Sequence, residues 1–224
     1  LSLYRLPPDF DRWTTPHPTR AELEGRDGKG LASPLAGLEL FWLRDRLEAF
    51  LVHVQGSARL ELPDGAIASV GYAGKTDRPY TSIGMELVRD GILERSGLTL
   101  PAVLAYLRAT PTALEQYLPR NESFIFFRET GGSPPTGSLG VPVTGDRSIA
   151  TDKSLMPPGA LAFIQVPLPY ADGNGGMAFR PTHRFVLDQD TGSAIRGAGR
   201  VDVFLGTGAE AGVSHWGYSI ALGH

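Results

Sequence analysis

"TGGSPPTGSLG", residues 130–140, carries four glycines and two prolines but only one large apolar residue, Leu139. Neither a period of two nor one of 3.6 can run through such a stretch, so it reads as a connector with a domain crossing near residue 131. The chain on its two sides is patterned differently.

Just upstream, "SFIFFRE" (123–129) is an apolar strand. Between Tyr80 and Leu118 the period is helical: "TSIGMELVRDG" ends in Gly91 like a helix C-terminus, and "TLPAVLAYLRATPTALEQYL" holds two Thr-then-Pro helix starts near Pro101 and Pro111. Earlier still, "LVHVQG" and "ARLELPDGAIASVGY" alternate apolar and polar positions around a Pro63-Asp64-Gly65 turn. That alternation predicts strands over about 51–55, 58–62 and 66–72. The stretch Leu31–Leu47, opened by Ser33-Pro34, predicts one or two short helices with Phe41 and Trp42 in the core.

Downstream of the connector the chain is a series of short strands, "ALAFIQVPL", "HRFVLDQD", "GRVDVFLG" and "YSIALG", joined by turns such as "ADGNGG". With 28 glycines and 18 prolines in 224 residues, the sequence is punctuated too often for a doubly wound sheet. The expected fold is mainly β, with a few short helices.

Lysines and arginines number 21 against 24 acids, a formal charge of -3, so the basic field on which nucleic-acid binding rests is missing. There is no cysteine, which excludes disulfides, thiolate catalysis and zinc-thiolate sites in this chain but leaves the compartment open. No apolar run approaches the roughly 18–20 residues of a membrane span. The chain begins at Leu1 rather than Met, as a processed or trimmed chain does.

Three acids sit in similar strand-edge settings: Asp152 in "ATDKSLMPPG", Asp190 in "DQDTGSAIRG" and Asp202 in "GRVDVFLG". In "RVDVFLG" the alternation puts Val201 and Val203 on one face and Asp202 with Phe204 on the other. Spacing alone leaves two readings open. Asp202 is a reactive carboxyl or an ordinary edge-strand acid; Asp190 supports it or merely forms an Asx turn in Asp-Thr-Gly. Asp188 reads as a turn or surface acid. His17, His183 and His215 have no metal-ligand spacing, so no metal is expected, and "GTGAEAG" lacks the lysine of a phosphate loop.

"ATDKSLMPPG", "DTGSAIRG" and "VDVFLGTGAEAG" together resemble the three-aspartate domain of the membrane-bound lytic murein transglycosylase A family. "PTRAELE", "VHVQGSARLEL", "GYAGKTDRPYTSIG" and "NESFIFFRE" resemble that family's preceding blocks, in order. The likeness spans about residues 3–218. It implies a double-psi β-barrel formed by residues 1–12 and 132–224, with a smaller β-rich domain, residues 13–131, inserted into it. The family's N-terminal portion is longer than the few residues before "LYRLPP", and the loop "GAGR" is one residue longer than the family's.

The implied reaction cuts the β-1,4 bond between N-acetylmuramic acid and N-acetylglucosamine in peptidoglycan and leaves a 1,6-anhydro ring, with no cofactor. By its place in "RVDVFLG", Asp202 takes the catalytic position. Ordinary glycosidases need two carboxylates. With the sugar's own C6 hydroxyl as nucleophile, one carboxyl protonates the leaving oxygen and then takes the hydroxyl proton. Such an acid is protonated near neutral pH through burial or a neighbouring like charge, for which Asp190 is the candidate. Asp152 is either structural or catalytic.

Gln55, Gly56 and Ser57 of "VQGSA" and Tyr72, Gly74 and Lys75 of "GYAGK" become candidates for contacts to the glycan. So do Gly192, Gly197, Gly199 and Arg196, whose glycines serve close backbone approach or turn geometry. The resemblance further implies a periplasmic protein, acting as a monomer or within wall-enzyme complexes, and held at the outer membrane by a lipidated cysteine upstream of this chain. Two other classes stay in play: an inverting hydrolase using Asp190 and Asp202 as a pair, and a non-catalytic wall-binding module.

Overall fold

Two capping side chains, Thr19 and Asp45, decide where the first helices begin. The computed structural model describes residues 2–25, 34–171, 177–207 and 219–221. Helix α1 (Arg20–Glu24) starts in a capping box, in which the Thr19 N–H donates to the Glu22 carboxylate at 2.7 Å while the Thr19 hydroxyl accepts from the Glu22 N–H. Helix α2 (Arg46–Gln55) starts at Asp45, whose Oδ1 accepts from the N–H groups of Leu47 and Glu48.

Helix α2 corrects the strand expected over 51–55. Val52 and Val54 fit an alternating pattern, but Leu47, Ala49, Phe50, Val52 and His53 are the residues it buries, at helical spacing from the Asp45 cap. Gly56 ends the helix in the left-handed conformation at φ +77°, with its N–H on the Val52 carbonyl at 2.8 Å.

Strand β1 (Ser2–Tyr4) pairs antiparallel with β2 (Glu39–Trp42), where helix was expected. Gly37, at φ +84°, breaks any helix from Leu35, and β1 supplies a partner for the extended chain that follows. Pairing alternates the side chains. Phe41 packs against the cluster of Leu3, Val52, Val70 and Phe127, whereas Trp42, expected in the core, is 58% exposed.

The hairpin over 58–72 is present as β3 (Ser57–Glu61) and β4 (Ile67–Lys75), turning at Gly65 with φ +82°. Strand β5 (Ile125–Glu129) completes a sheet of order β3-β4-β5. Between β4 and β5 lie α3 (Ile83–Arg89), α4 (Leu100–Ala109) and α5 (Pro111–Tyr117). The hydroxyls of Ser82 and Thr99 cap the first two, and Pro101 and Pro111 stand at the helix starts read from the sequence.

Arg20 lies in this core, 1% exposed. It donates to the carbonyls of Asn121 (3.0 Å) and Ser123 (2.7 Å) and pairs with Glu24 at 2.5 Å, while its guanidinium stands 5.2 Å from the Phe50 and Phe124 rings. His53 is also buried, and its Nδ1 accepts from the Ile125 N–H. Burial, then the nearby Arg20 charge, pushes the His53 pKa well below its ordinary value.

The chain divides at the connector into two units, Leu1–Ser133 and Pro134–His224. Residues 2–12, expected in the second domain, belong with the first: β1 pairs with β2, Arg5 bridges to Phe127, and Leu3 and Tyr4 are buried among first-unit aromatics.

The second unit is one sheet of order β10-β9-β6-β8-β7, formed by β6 (Ser148–Ala150), β7 (Leu161–Ala171), β8 (Met177–Asp190), β9 (Arg200–Val203) and β10 (Ser219–Ala221). Strand β6 runs parallel to β8 and antiparallel to β9. Ile149, Ile164, Val166, Leu168, Val186 and Val203 form the core on one face. On the other face of the long β7–β8 hairpin, Leu161, Phe163, Phe185 and Leu187 are exposed. Pro167 and Pro169 lie within β7, the last strand of the sheet among the described residues.

Strand outweighs helix over the described residues as a whole, but the five α-helices all lie in the first unit, where helix outweighs strand. No helix among the described residues is long and apolar enough to cross a membrane. The Ser33 start signal, the "ADGNGG" turn beyond its first residue, most of "GTGAEAG", His215, Trp216 and Tyr218 lie outside the described residues.

Candidate active site

Ala150, in the middle of the second sheet, brings two of the three aspartates into one row. Its partner on β9 is Asp202 and its partner on β8 is Asp190. The two acids therefore flank one small residue, two strand spacings or about 9–10 Å apart along the backbone. A bulge in the β6–β8 register, in which Ile149 faces Asp188 and Ala150 faces Asp190, is what moves Asp190 into line.

On β9 the alternation read from sequence holds. Val203 is buried and Val201 packs against the same cluster, while Asp202 is 28% exposed and its carboxyl is held by the Arg200 guanidinium two residues away, at 3.2 Å. Asp190 accepts from the Ser138 N–H at 2.9 Å. Its partial burial pushes its pKa up, against the opposing pull of the Thr191 and Ser138 N–H groups and of Lys153.

Ser138 belongs to the glycine-rich connector, which is thus more than a spacer. A Cβ on Gly137 would fall 2.3 Å from the Gln189 carbonyl oxygen, so only glycine lets the connector lie this close to β8 and present a donor to Asp190. Close approach of this kind leaves no trace in composition beyond the glycine itself.

Asp152 is not in the row. Its carboxylate accepts from the Ser154 hydroxyl (2.7 Å), the Ser154 N–H (3.0 Å) and the Gly197 N–H (2.8 Å), with Arg196 at 3.6 Å. These donors, the Gly197 N–H foremost, lower its pKa to about 2. A group held ionised this firmly is a clamp between two loops and a poor proton donor at neutral pH.

Asp188 also corrects the sequence reading. It is 0% exposed, ion-paired with Lys153 and hydrogen-bonded by the Thr151 hydroxyl at 2.7 Å. Taken as a turn acid, it is instead a strand residue, because β8 continues through it to Asp190. Lys153 and Thr151 in "ATDKS" were its available signal.

The other candidates in this unit have mixed roles. Gly197 has φ +89° and its N–H is committed to Asp152, so its glycine serves turn geometry. Gly192 is tight against Ile195, since a Cβ there would stand 3.2 Å from Ile195 Cδ1. Arg196 leaves 70% of its side chain in solvent.

In the first unit the two separately read motifs meet across the hairpin. Ser57, at the start of β3, pairs with Gly71, which precedes Tyr72 on β4. Gln55 is exposed at the end of α2, and Gly56 is its cap. Tyr72 is 46% exposed, with its phenol pKa raised by partial burial, and Lys75 is exposed at the end of β4. Gly74 answers to packing, since a Cβ there would approach Leu6 Cδ1 to 2.7 Å.

His17 binds the Asp77 loop, and His183 is exposed beside Phe163. Among the described residues no group of three or more His, Cys, Asp or Glu is placed to hold a metal ion.

Comparison with known proteins matches these two units to two family models. Residues 2–128 match the MltA specific insert domain, and residues 147–221 match the 3D domain. Among curated relatives, membrane-bound lytic murein transglycosylase A of Vibrio cholerae is 34% identical over 200 residues, covering 88% of this chain and 52% of the relative. That of Escherichia coli K12 is 31% identical over 213 residues, covering 94% and 54%. The chain thus spans about half the length of the curated relatives it matches.

Two crystal structures are similar in both sequence and fold. One is a membrane-bound lytic murein transglycosylase from Agrobacterium tumefaciens, with TM-score 0.78, 33% identity, and 94% of this chain and 62% of that one covered. The other is E. coli MltA with bound chitohexaose, with TM-score 0.75, 30% identity, and 95% and 60% covered.

Proposed function

The chain belongs to the membrane-bound lytic murein transglycosylase A family, and we propose that it cleaves the β-1,4 MurNAc–GlcNAc bond of peptidoglycan without water, forming 1,6-anhydro-MurNAc. Asp202 acts first as general acid and then as general base. It gives its proton to the departing glycosidic oxygen; the C6 hydroxyl of the same muramic acid then attacks C1, and its proton returns to the Asp202 carboxylate. Every proton is accounted for within one carboxyl and one sugar. Because the nucleophile is already tethered, the protein's task is to hold the sugar and exclude water.

The observation that carries this reading is the Asp190–Ala150–Asp202 row. It leaves Asp202 beside a residue too small to screen it, on the face turned away from Val203. Asp190 is the supporting carboxyl, Asp152 fixes the loop of Gly197, and Gly192 and Arg196 border the site. Gln55, Gly56, Ser57, Tyr72, Gly74 and Lys75 form a second set of glycan contacts: the amide and hydroxyl for N-acetyl and hydroxyl groups, the ring for stacking, the ammonium for a lactyl or peptide carboxylate. The chitohexaose bound by the E. coli relative supports a glycan ligand.

Two further features belong to this reading. The parallel β6–β8 pair within an otherwise antiparallel sheet, with the 3D domain match, supports a double-psi β-barrel for the second unit. The membrane-bound relatives support a periplasmic protein held at the outer membrane by an anchor outside these residues.

A second reading has its own support. An inverting hydrolase requires carboxyl groups about 6.5–9.5 Å apart, and backbones two strands apart, about 9–10 Å, set the two acids at the upper end of that range. Mass spectrometry of muropeptides released from purified sacculi separates the readings. Anhydro ends from the parent and none from Asp202→Asn support transglycosylation. Reducing ends mean hydrolysis, and glycan binding with no cleavage by the parent means a binding module.

A further inference from the structure

Asp188 enters none of the steps above, yet it is the most deeply buried acid among the described residues. A carboxylate sealed from water persists only with its oxygens occupied, and both are: Oδ1 by the Lys153 ammonium and Oδ2 by the Thr151 hydroxyl at 2.7 Å. Lys153, 20% exposed, also donates to Thr151 Oγ1 at 3.1 Å. The main chain of Asp188 holds the far end of the same turn. Its carbonyl accepts from the Gly159 N–H at 2.7 Å and its N–H donates to the Ala160 carbonyl at 2.9 Å.

The whole turn from Thr151 to Ala160 therefore hangs on Asp188, and it passes its position on in two directions. Thr151 reaches Asp190, with its N–H on the Asp190 carbonyl and its carbonyl accepting from the Thr191 hydroxyl at 3.1 Å. Asp152, the next residue, grips the Gly197 N–H on the loop that leads into β9.

We propose that Asp188 is a positioning residue, whose ion pair with Lys153 locks the 151–160 turn onto β8 and seats the ammonium beside Asp190, orienting the acids that flank Ala150. The proposal rests on the reading of Asp190 and Asp202 as the reacting carboxyls. The groups around Asp190 are few. The Ser138 and Thr191 N–H groups donate to it, Lys153 and Asp188 act on it from the turn and from its own strand, and Asp202 with Arg200 stands one strand beyond Ala150. Among these, burial and the Asp188 charge raise its proton affinity and the Lys153 charge lowers it. Lys153 is the cation in that balance.

The experiment is a 13C titration of the Asp190 carboxyl, assigned with Asp190→Asn, in the parent, Lys153→Met, Lys153→Arg and the double variant Asp188→Leu/Lys153→Met. Sacculus digestion is followed across pH in parallel. The double variant replaces a buried ion pair by apolar side chains, which keeps the fold where a single change strands a charge. In Lys153→Met the Asp190 titration moves up by about one pH unit, and Lys153→Arg returns it toward the parent. The double variant melts near the parent, titrates below Lys153→Met because the Asp188 charge has gone as well, and loses roughly tenfold in kcat with little change in KM.

Folded variants whose Asp190 titration and kcat match the parent overturn the proposal and leave the pair a packing device. A parent that shows the Lys153-dependent titration but releases no anhydro product upholds the positioning and overturns the proposed reaction.

Discussion

Arg20 in the first unit and Asp188 in the second are both sealed from solvent, at 1% and 0% exposure, but they are neutralised by different kinds of partner. Arg20 spends two of its donors on main-chain carbonyls, Asn121 and Ser123, and the rest of its surface on Glu24 and two phenylalanine rings. It fastens α1 to the segment entering β5. Asp188 is met by side chains of a turn, Lys153 and Thr151, and its neighbour in the network, Asp152, is met by another loop. In the first unit a buried charge holds the core together. In the second, buried charges hold loops in register around Ala150, where two further carboxyls meet solvent. Charge removal is therefore expected to cost stability in one unit and turnover in the other.

The sharpest break of that contrast is Asp202→Asn. It is expected to lower turnover by roughly 10³-fold, the scale of a lost general acid and base, while the melting temperature stays within about 2 °C because a partly exposed acid with an adjacent arginine carries little stability. Calorimetry alongside muropeptide release checks both halves, and a variant that melts early assigns Asp202 a structural part.

Arg20→Met is the counterpart. Leaving Glu24 and two buried carbonyls without their donor is expected to cost about 3–5 kcal/mol, read as a drop of roughly 10 °C in melting temperature. A stable Arg20→Met protein would erase the difference between the units.

Gly197→Ala tests whether loop register matters on its own. An alanine at φ +89° is strained by about 1–2 kcal/mol, and relief of that strain pulls the N–H away from Asp152. A several-fold loss of kcat with a melting temperature lower by about 3–5 °C is expected; unchanged kcat would detach this loop from the chemistry.

The smallest effect is a pH slope. The folded pKa of His53 lies below its unfolded value, so the unfolded chain binds more protons in acid. Its contribution is intact above about pH 6.5 and is lost as pH falls below that. His53→Gln keeps an acceptor for the Ile125 N–H and removes the proton. The fall in melting temperature between pH 7.5 and 5.5 should flatten in that variant, and an equal slope would place the acid sensitivity elsewhere.

Much of this was legible in the residues. Thr-then-Pro starts at Pro101 and Pro111 and the Pro63-Asp64-Gly65 turn carry their geometry in the side chain or in the ring, and they folded as read. The 51–55 segment did not, because "LVHVQ" satisfies both periods and only the Asp45 cap, six residues earlier, decides between them. Strand β2 was hidden for another reason: its conformation depends on β1, far upstream in the chain, and long-range pairing overrides local spacing. In the acid cluster, the face of Asp202 followed from alternation. Asp188 was misjudged because "DQDTG" reads as a turn whereas β8 runs on through both acids, and the bulge that then brings Asp190 to Ala150 has no signature in "DQD".

The edge strand β7 has a consequence for how copies of this chain meet one another. Among the described residues its outer side carries no strand partner, and such a side, next to the exposed Leu161 and Phe163, would ordinarily be a template for strand addition and cross-β growth. Pro167 and Pro169 share one parity, so two consecutive donor positions on one side of β7 are blank. An incoming strand finds a ladder with missing rungs, and intermolecular sheet extension is frustrated at the place where the apolar surface would most invite it.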